Sequence, residues 1–353
     1  MEADDLTEIL PPLLNSLETL GFVARHFNPP DFAEVMEAVG RPEEPLREAH
    51  ARLAAWPERL VHVANALDRA CAETLSAFGK LRGALGESGD IRQVFRALRH
   101  FAYAQAALYP LAGDLPPVSR FFLEPAARGD ADLLARLSRP GEDTGVIEFH
   151  YEAGSHADFS LYVPETYDPA APAPLVMALH GGGGDGRTFL WTWLRDARAH
   201  GAILITPTSL GDTWALSGPD PDTPSLARIL EMVRAGWNID PARILLTGMS
   251  DGGTFCYVTG LEPGSPFTHL APVAASFHPM LAQAADRDRI RGLPIHVAHG
   301  ALDWMFPVDV ARQAHLALTL AGARVTYVEV PDLSHTYPRE LNPVLLEWMN
   351  RTC

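Results

Sequence analysis

From Leu6 to about Leu137 apolar residues recur at intervals of three and four: Leu6, Ile9, Leu10, Leu13, Leu14, Leu17 and Leu20, then Leu60, Val61, Val63, Ala64 and Leu67. That spacing gathers them on one face of each segment, so the stretch predicts packed helices. The pattern breaks at Pro29-Pro30, at Arg41-Pro42, across 86–90 and at Pro116-Pro117, with Ser88-Gly89-Asp90 supplying turn residues at the third break. About five helices in a small bundle are expected over residues 1–140. No strand-like alternation interrupts them, and no internal repeat stands out.

The segment 138–145 is polar, contains Pro and Gly, and marks the change of period. It reads as a linker between two domains. Beyond it, over 146–353, short apolar runs alternate with helical ones. Strands are expected at 146–151 and 159–163, as an antiparallel start, then at 174–179, 202–206, 244–247, 271–276, 295–298 and 325–330. Helices are expected at 187–200, 224–237, after Ser250, at 308–321 and at 338–349. Alternation of this kind implies a mostly parallel sheet with helices on both faces, preceded by an all-α domain. Ligands of such sheets bind at the carboxyl ends of the strands.

Composition narrows the picture. Of 353 residues, 47% are hydrophobic and 20% charged, which is the balance of a globular chain able to bury a core. No apolar run reaches the roughly 18 residues of a membrane span, and the acidic start Met-Glu-Ala-Asp-Asp is unlike a basic signal peptide. A cytoplasmic location is therefore expected. Cys71, Cys256 and Cys353 are odd in number and far apart, which suits neither a disulfide framework nor a metal site. Cys256 is read as a buried structural thiol. The net charge of −16 disfavours nucleic acid and anionic membranes as partners, because the long-range field repels both.

Chemistry concentrates after strand ends. Gly248-Met249-Ser250-Asp251-Gly252-Gly253 follows an apolar strand and precedes a helix, the setting in which G-x-S-x-G forms a tight turn that exposes a nucleophilic serine. A serine nucleophile needs a base, an orienting acid and oxyanion donors. His335, between the last strand and the last helix, is the expected base, in preference to His315, which lies inside a predicted helix. Asp303, just after the preceding strand, is the expected acid, in preference to Asp332, which is three residues from His335. His299 is read as a structural strand-end residue. The oxyanion donors are expected to be the N–H groups of Asp251 and of Gly182, the latter in the loop His180-Gly181-Gly182-Gly183-Gly184-Asp185-Gly186. A phosphate-cradling loop is the rival reading of these glycines, but no Gly-Lys-Ser/Thr follows them and Lys80, the only lysine, lies elsewhere, which weighs against it. Aromatic residues near strand ends, among them Phe189, Trp191, Trp193 and Phe277, are divided between core and pocket. Trp214 and Trp304 are the expected substrate-binding residues.

With these pieces in order, residues 146–350 resemble the α/β-hydrolase superfamily, nearest to phospholipase/carboxylesterase and polyhydroxybutyrate-depolymerase-like esterases. The matching segments are Leu179 to Gly182, Gly248 to Gly253, His299 to Asp303 with Pro307, and Ser334-His335. The chain order Ser250, Asp303, His335 is that of the superfamily's triad. The resemblance implies hydrolysis of small carboxylic esters through an acyl-enzyme, without metal or organic cofactor. The N-terminal helical region departs from the usual position of a lid, and a cap or a homo-oligomer interface are the two roles open to it. Two rival readings are a serine peptidase of the prolyl-oligopeptidase-like branch, which usually carries a β-propeller instead of helices, and a non-catalytic interaction protein on a hydrolase scaffold.

Overall fold

A computed structural model describes residues 3–53, 56, 60–86, 91–139, 141, 143–150 and 158–352. The turn expected at Ser88-Gly89-Asp90, the end of the first expected strand at Tyr151, and Cys353 lie outside these residues. The chain forms two compact units, Met1–Arg139 and Pro140–Cys353. Among the described residues no helix is long and apolar enough to cross a membrane.

The first unit is helical, with α1 (Ala3–His26), α2 (Phe32–Ala38), α3 (Glu43–Arg52), α4 (Val61–Gly86), α5 (Ile91–Leu108), α6 (Pro116–Phe121) and α7 (Ala131–Leu137). Leu13, Leu17 and Leu20 of α1, Leu67, Phe78 and Leu81 of α4, and Phe101 and Leu108 of α5 are buried, as their spacing requires. The helices outnumber the five expected because Pro116-Pro117 begins a helix instead of ending one. Proline fits a first helical turn, where its missing N–H would have no partner anyway. The other additional helix, α7, is capped by Asp130, whose carboxylate accepts from Leu133 N–H at 2.9 Å.

The second unit is built on one eight-stranded sheet. Its strands are β1 (Gly145–Phe149), β2 (Phe159–Val163), β3 (Ala173–Leu179), β4 (Ile203–Pro207), β5 (Ile239–Met249), β6 (His269–Val273), β7 (Pro294–Gly300) and β8 (Arg324–Val330). Their spatial order is β1-β2-β4-β3-β5-β6-β7-β8, antiparallel in the first two pairings and parallel thereafter. The helices are α8 (Gly186–His200), α9 (Asp222–Gly236), α10 (Asp251–Gly260), α11 (Met280–Ala284), α12 (Arg287–Ile290), α13 (Asp309–Leu320) and α14 (Leu341–Thr352). Residues 244–248 of β5 and all of β6 and β7 are buried, so both faces of the central sheet are covered there. Strand order reverses around β3, with β4 on one side and β5 on the other. That switch point is where the glycine loop after β3 and the serine turn after β5 come side by side.

Candidate active site

The register between β3 and β5 sets Leu179 opposite Gly248, which brings His180 and Gly181 beside Met249 and Ser250. Ser250 stands at the N-terminus of α10 with φ 56° and ψ −118°, a left-handed strain that non-glycine residues rarely carry. It is held there at both ends: its N–H donates to Val273 O at 2.9 Å, and its carbonyl accepts from Thr254 N–H at 2.8 Å. The glycines around it are steric requirements. A Cβ at Gly248 would lie 2.6 Å from Gly252 C, and one at Gly252 would lie 2.4 Å from His180 O. A Cβ at Gly253 would stand 2.7 Å from Val273 O. The turn therefore folds only as tightly as this sequence permits.

The other side chains arrive from β7 and β8. Gly300 ends β7, and a Cβ there would sit 2.2 Å from Leu333 O, so glycine alone lets the loop after β8 cross the strand end. Leu302 N–H donates to Leu333 O at 3.0 Å and locks the two loops together. His335 Nε2 lies 3.0 Å from Ser250 Oγ, and its Nδ1 lies 2.8 Å from Asp303 Oδ2. With the carboxylate as acceptor, the proton on neutral His335 belongs on Nδ1, which leaves Nε2 free to accept from serine. All three side chains are buried. Burial works to raise the Asp303 pKa, but donation from His299, His335 and the Phe306 N–H outweighs it and holds the carboxyl well below the usual range.

Asp303 is fully engaged. Its Oδ1 accepts from Met305 N–H at 2.9 Å and Phe306 N–H at 2.8 Å. His299, read from sequence only as a structural residue, reaches the same group: its Nε2 lies 3.3 Å from Asp303 Oδ2 and 2.8 Å from Phe306 O. Since both neighbours are acceptors, Nε2 carries the proton and ties the carboxylate to its own loop. Asp332 is exposed, and His315 stacks on Tyr327 with ring centroids 5.3 Å apart, away from the serine.

On the opposite side, the glycine loop is pinned by its own bonds. Gly184 N–H donates to Gly181 O at 3.0 Å and Gly183 N–H to Asp212 O at 3.2 Å. His180 accepts Ser209 N–H on Nε2 at 3.0 Å and has Nδ1 2.8 Å from Gly181 O; burial pushes its pKa down, so it stays neutral. A Cβ on Gly181 would touch Ser250 Cβ at 3.5 Å, so the loop borders the serine. Among the described residues the Gly182 N–H makes no hydrogen bond, and Asp251 N–H, at the first position of α10, has no carbonyl one turn back.

No family model matches the chain. It is 28% identical over 207 residues to the bifunctional acetylxylan esterase/xylanase XynS20E of Neocallimastix patriciarum, covering 56% of this chain and 28% of that protein. It is 29% identical over 162 residues to feruloyl esterase C of Emericella nidulans, covering 43% of this chain and 57% of the other. The chain thus spans little more than half the length of these curated relatives at most. Among solved structures, a ferulic acid esterase superposes with a TM-score of 0.51 at 16% identity, over 59% of this chain and 97% of that one. A truncated carbohydrate esterase from gut microbiota gives 0.50 at 15% identity, over 60% and 98%. The sheet has the α/β-hydrolase fold.

Within this α/β-hydrolase fold one expected pocket residue is corrected. Trp214 is 2% exposed, stacks on Phe255 at 5.4 Å and donates its indole N–H to His180 O at 2.8 Å. It is a core residue that buttresses the glycine loop from behind. Trp191, Trp193 and Phe277 are likewise buried, while Phe189 packs edge-on against Tyr337. Trp304 is 38% exposed, edge-on to His335 at 6.0 Å, with exposed Leu302 and Met305 beside it. Ser250, His335 and Asp303 thus meet in one hydrogen-bonded line with an apolar rim on the His335 side. Cys256 is buried and free, and burial pushes its thiol pKa far up, leaving it unreactive.

Proposed function

We propose that the chain is a serine carboxylic-ester hydrolase working through an acyl-enzyme on neutral esters of short to medium acyl chain or of an aromatic acid. The observation that carries this reading is the hydrogen-bonded line from Ser250 Oγ through His335 to Asp303, at 3.0 and 2.8 Å. In this scheme His335 Nε2 takes the Ser250 proton as Oγ attacks the ester carbonyl. The N–H groups of Asp251 and Gly182 hold the oxyanion. His335 then passes the proton to the departing alkoxide. Water, deprotonated by the same imidazole, attacks the acyl-enzyme, and Ser250 regains its proton as the acid leaves. Asp303 keeps the Nδ1 proton in place and stabilises the imidazolium.

Similarity to feruloyl and acetylxylan esterases supports small ester substrates, with aromatic and acetyl acyl groups to be tried first. Trp304, Leu302 and Met305 offer an apolar surface against which an aromatic or alkyl group could lie. The helical unit we assign to capping or homo-oligomerisation. A cytoplasmic location fits the free, buried thiols of Cys71 and Cys256. The test is hydrolysis of nitrophenyl esters from acetate to palmitate, and of methyl ferulate, by the intact chain and by Ser250→Ala. Turnover lost in the variant supports the assignment; equal turnover in both removes it.

A further inference from the structure

The residue after the serine carries a carboxylate, and its position is defined on two sides. Asp251 Oδ2 accepts from Thr213 Oγ1 at 2.6 Å. The same oxygen lies 2.5 Å from the point a Cβ on Gly182 would occupy, so the carboxylate is packed directly against Gly182. Gly182 adjoins Gly181, which borders Ser250. A formal negative charge therefore stands beside both residues whose N–H groups are assigned to the oxyanion. The positive end of α10 offsets it only in part. Among the described residues Asp251 forms no ion pair, and the adjacent imidazole of His180 is buried and neutral. Thr213 contributes a hydroxyl proton, not a charge. Asp251 is only half-buried, so a substrate group passing over the loop 181–183 meets its field without a full protein layer between.

That placement has a cost for catalysis, because the reacting carbonyl itself becomes negative. A fixed carboxylate close to a forming oxyanion raises its energy. The cost is offset when the substrate carries a positive group on that side and is compounded when it carries a negative one. The far side of the site, at Leu302, Trp304 and Met305, presents apolar surface.

We infer that Asp251 is the residue that selects substrate charge, admitting neutral and cationic esters, such as those bearing a quaternary ammonium group, and rejecting anionic ones. The inference rests on the esterase reading and deepens it. Discrimination works through repulsion of the wrong partner as much as attraction of the right one. For half-exposed charges less than a nanometre apart the effect on kcat/KM is about tenfold per unit charge.

The test uses three esters of one acid: a choline-type ester, its uncharged carbon isostere and a sulfonate-bearing isostere. A second trio carries the same charges in the acyl part. kcat/KM is measured for the wild type, Asp251→Asn, Thr213→Val and Ser250→Ala. The chain's net charge of −16 gives every variant a long-range preference for cations, so the readout is the change in the cation-to-anion ratio between variants. Asp251→Asn keeps the backbone N–H and an oxygen for Thr213, and is expected to lower that ratio tenfold or more in at least one trio. Thr213→Val keeps the charge and is expected to keep the ratio. If Asp251→Asn fails to fold, Asp251→Ser serves the same comparison. A ratio unchanged within twofold in both trios overturns the inference, as does a uniform rate loss across all esters, which would make Asp251 a brace for the loop and nothing more. Full turnover by Ser250→Ala instead overturns the esterase reading beneath it.

Discussion

Asp303→Asn isolates the part of the proposed mechanism that depends on a single proton. In the wild type both carboxylate oxygens accept: Oδ1 from two backbone N–H groups, and Oδ2 from His335 and His299. An asparagine has one oxygen and one NH2 to fill these places. Turned so that the NH2 faces Met305 and Phe306, it would oppose two buried backbone donors, at about 1–3 kcal/mol each. The opposite orientation is therefore favoured, with the oxygen toward the backbone and the NH2 toward His335. His335 must then accept on Nδ1 and carry its proton on Nε2, where it can no longer take one from Ser250. The wrong tautomer in a serine triad costs about 10⁴ in rate, or roughly 5 kcal/mol at 1.36 kcal/mol per decade. The assay is kcat for a nitrophenyl ester from pH 6 to 10, beside a thermal melt. The expected result is a loss of three to four decades at neutral pH, as above, with Tm little changed and activity partly recovered at alkaline pH. A variant that kept a tenth of wild-type kcat at neutral pH would refute the assignment of Asp303 as the orienting acid.

Other outcomes follow from packing and protonation. Gly252→Ala places a Cβ 2.4 Å from a carbonyl oxygen, so it is expected to lose at least the ~1–3 kcal/mol of an overpacked core, read by urea unfolding. Gly79→Ala, in α4 with nothing within 4 Å of the new methyl, is expected to gain about 0.5–1 kcal/mol in the same measurement. Trp304→Ala is expected to raise KM for aromatic esters several-fold with Tm unchanged, whereas Trp214→Ala is expected to lower stability by about 3–5 kcal/mol, as calorimetry would reveal. His269 is buried between Thr268 and Thr352, and burial lowers its pKa to about 4. The unfolded chain, with a histidine pKa of about 6.5, then binds more protons below that value. Stability from this group is present above about pH 6.5 and is lost as pH falls toward about 4. Tm should drop across that window, less steeply in His269→Asn.

Much of this was legible because each signal was local. The glycines around Ser250 and the glycine at 300 announce close backbone approach, and the structure puts a backbone or neighbouring atom within clash distance at each. Strands β2 to β7 fall near the expected runs because a sheet covered on both faces needs uninterrupted apolar residues, whereas β8, at the sheet edge, sets polar residues between its apolar ones. The short helices α11 and α12 gave no periodic signal, being too brief to show one. Trp214 was misplaced because its burial depends on Phe255, forty-one positions away in α10, and on the carbonyl of His180. Its own neighbours in sequence, Asp212 and Thr213 before it and Ala215 and Leu216 after it, mix polar with apolar and do not decide its burial. The reach of His299 to Asp303 likewise requires the loop 303–306 to fold back on the strand end, which spacing alone does not specify.

The central claim is that Ser250 is the nucleophile, and one experiment addresses it without knowledge of the natural ester. The intact chain and Ser250→Ala are incubated with a fluorophosphonate and analysed by peptide mass spectrometry, with nitrophenyl acetate turnover followed in parallel. The account predicts stoichiometric phosphonylation of the peptide containing Ser250, loss of turnover in step with labelling, and neither label nor turnover in the variant. Label on another residue, or turnover that survives both labelling and Ser250→Ala, would contradict it.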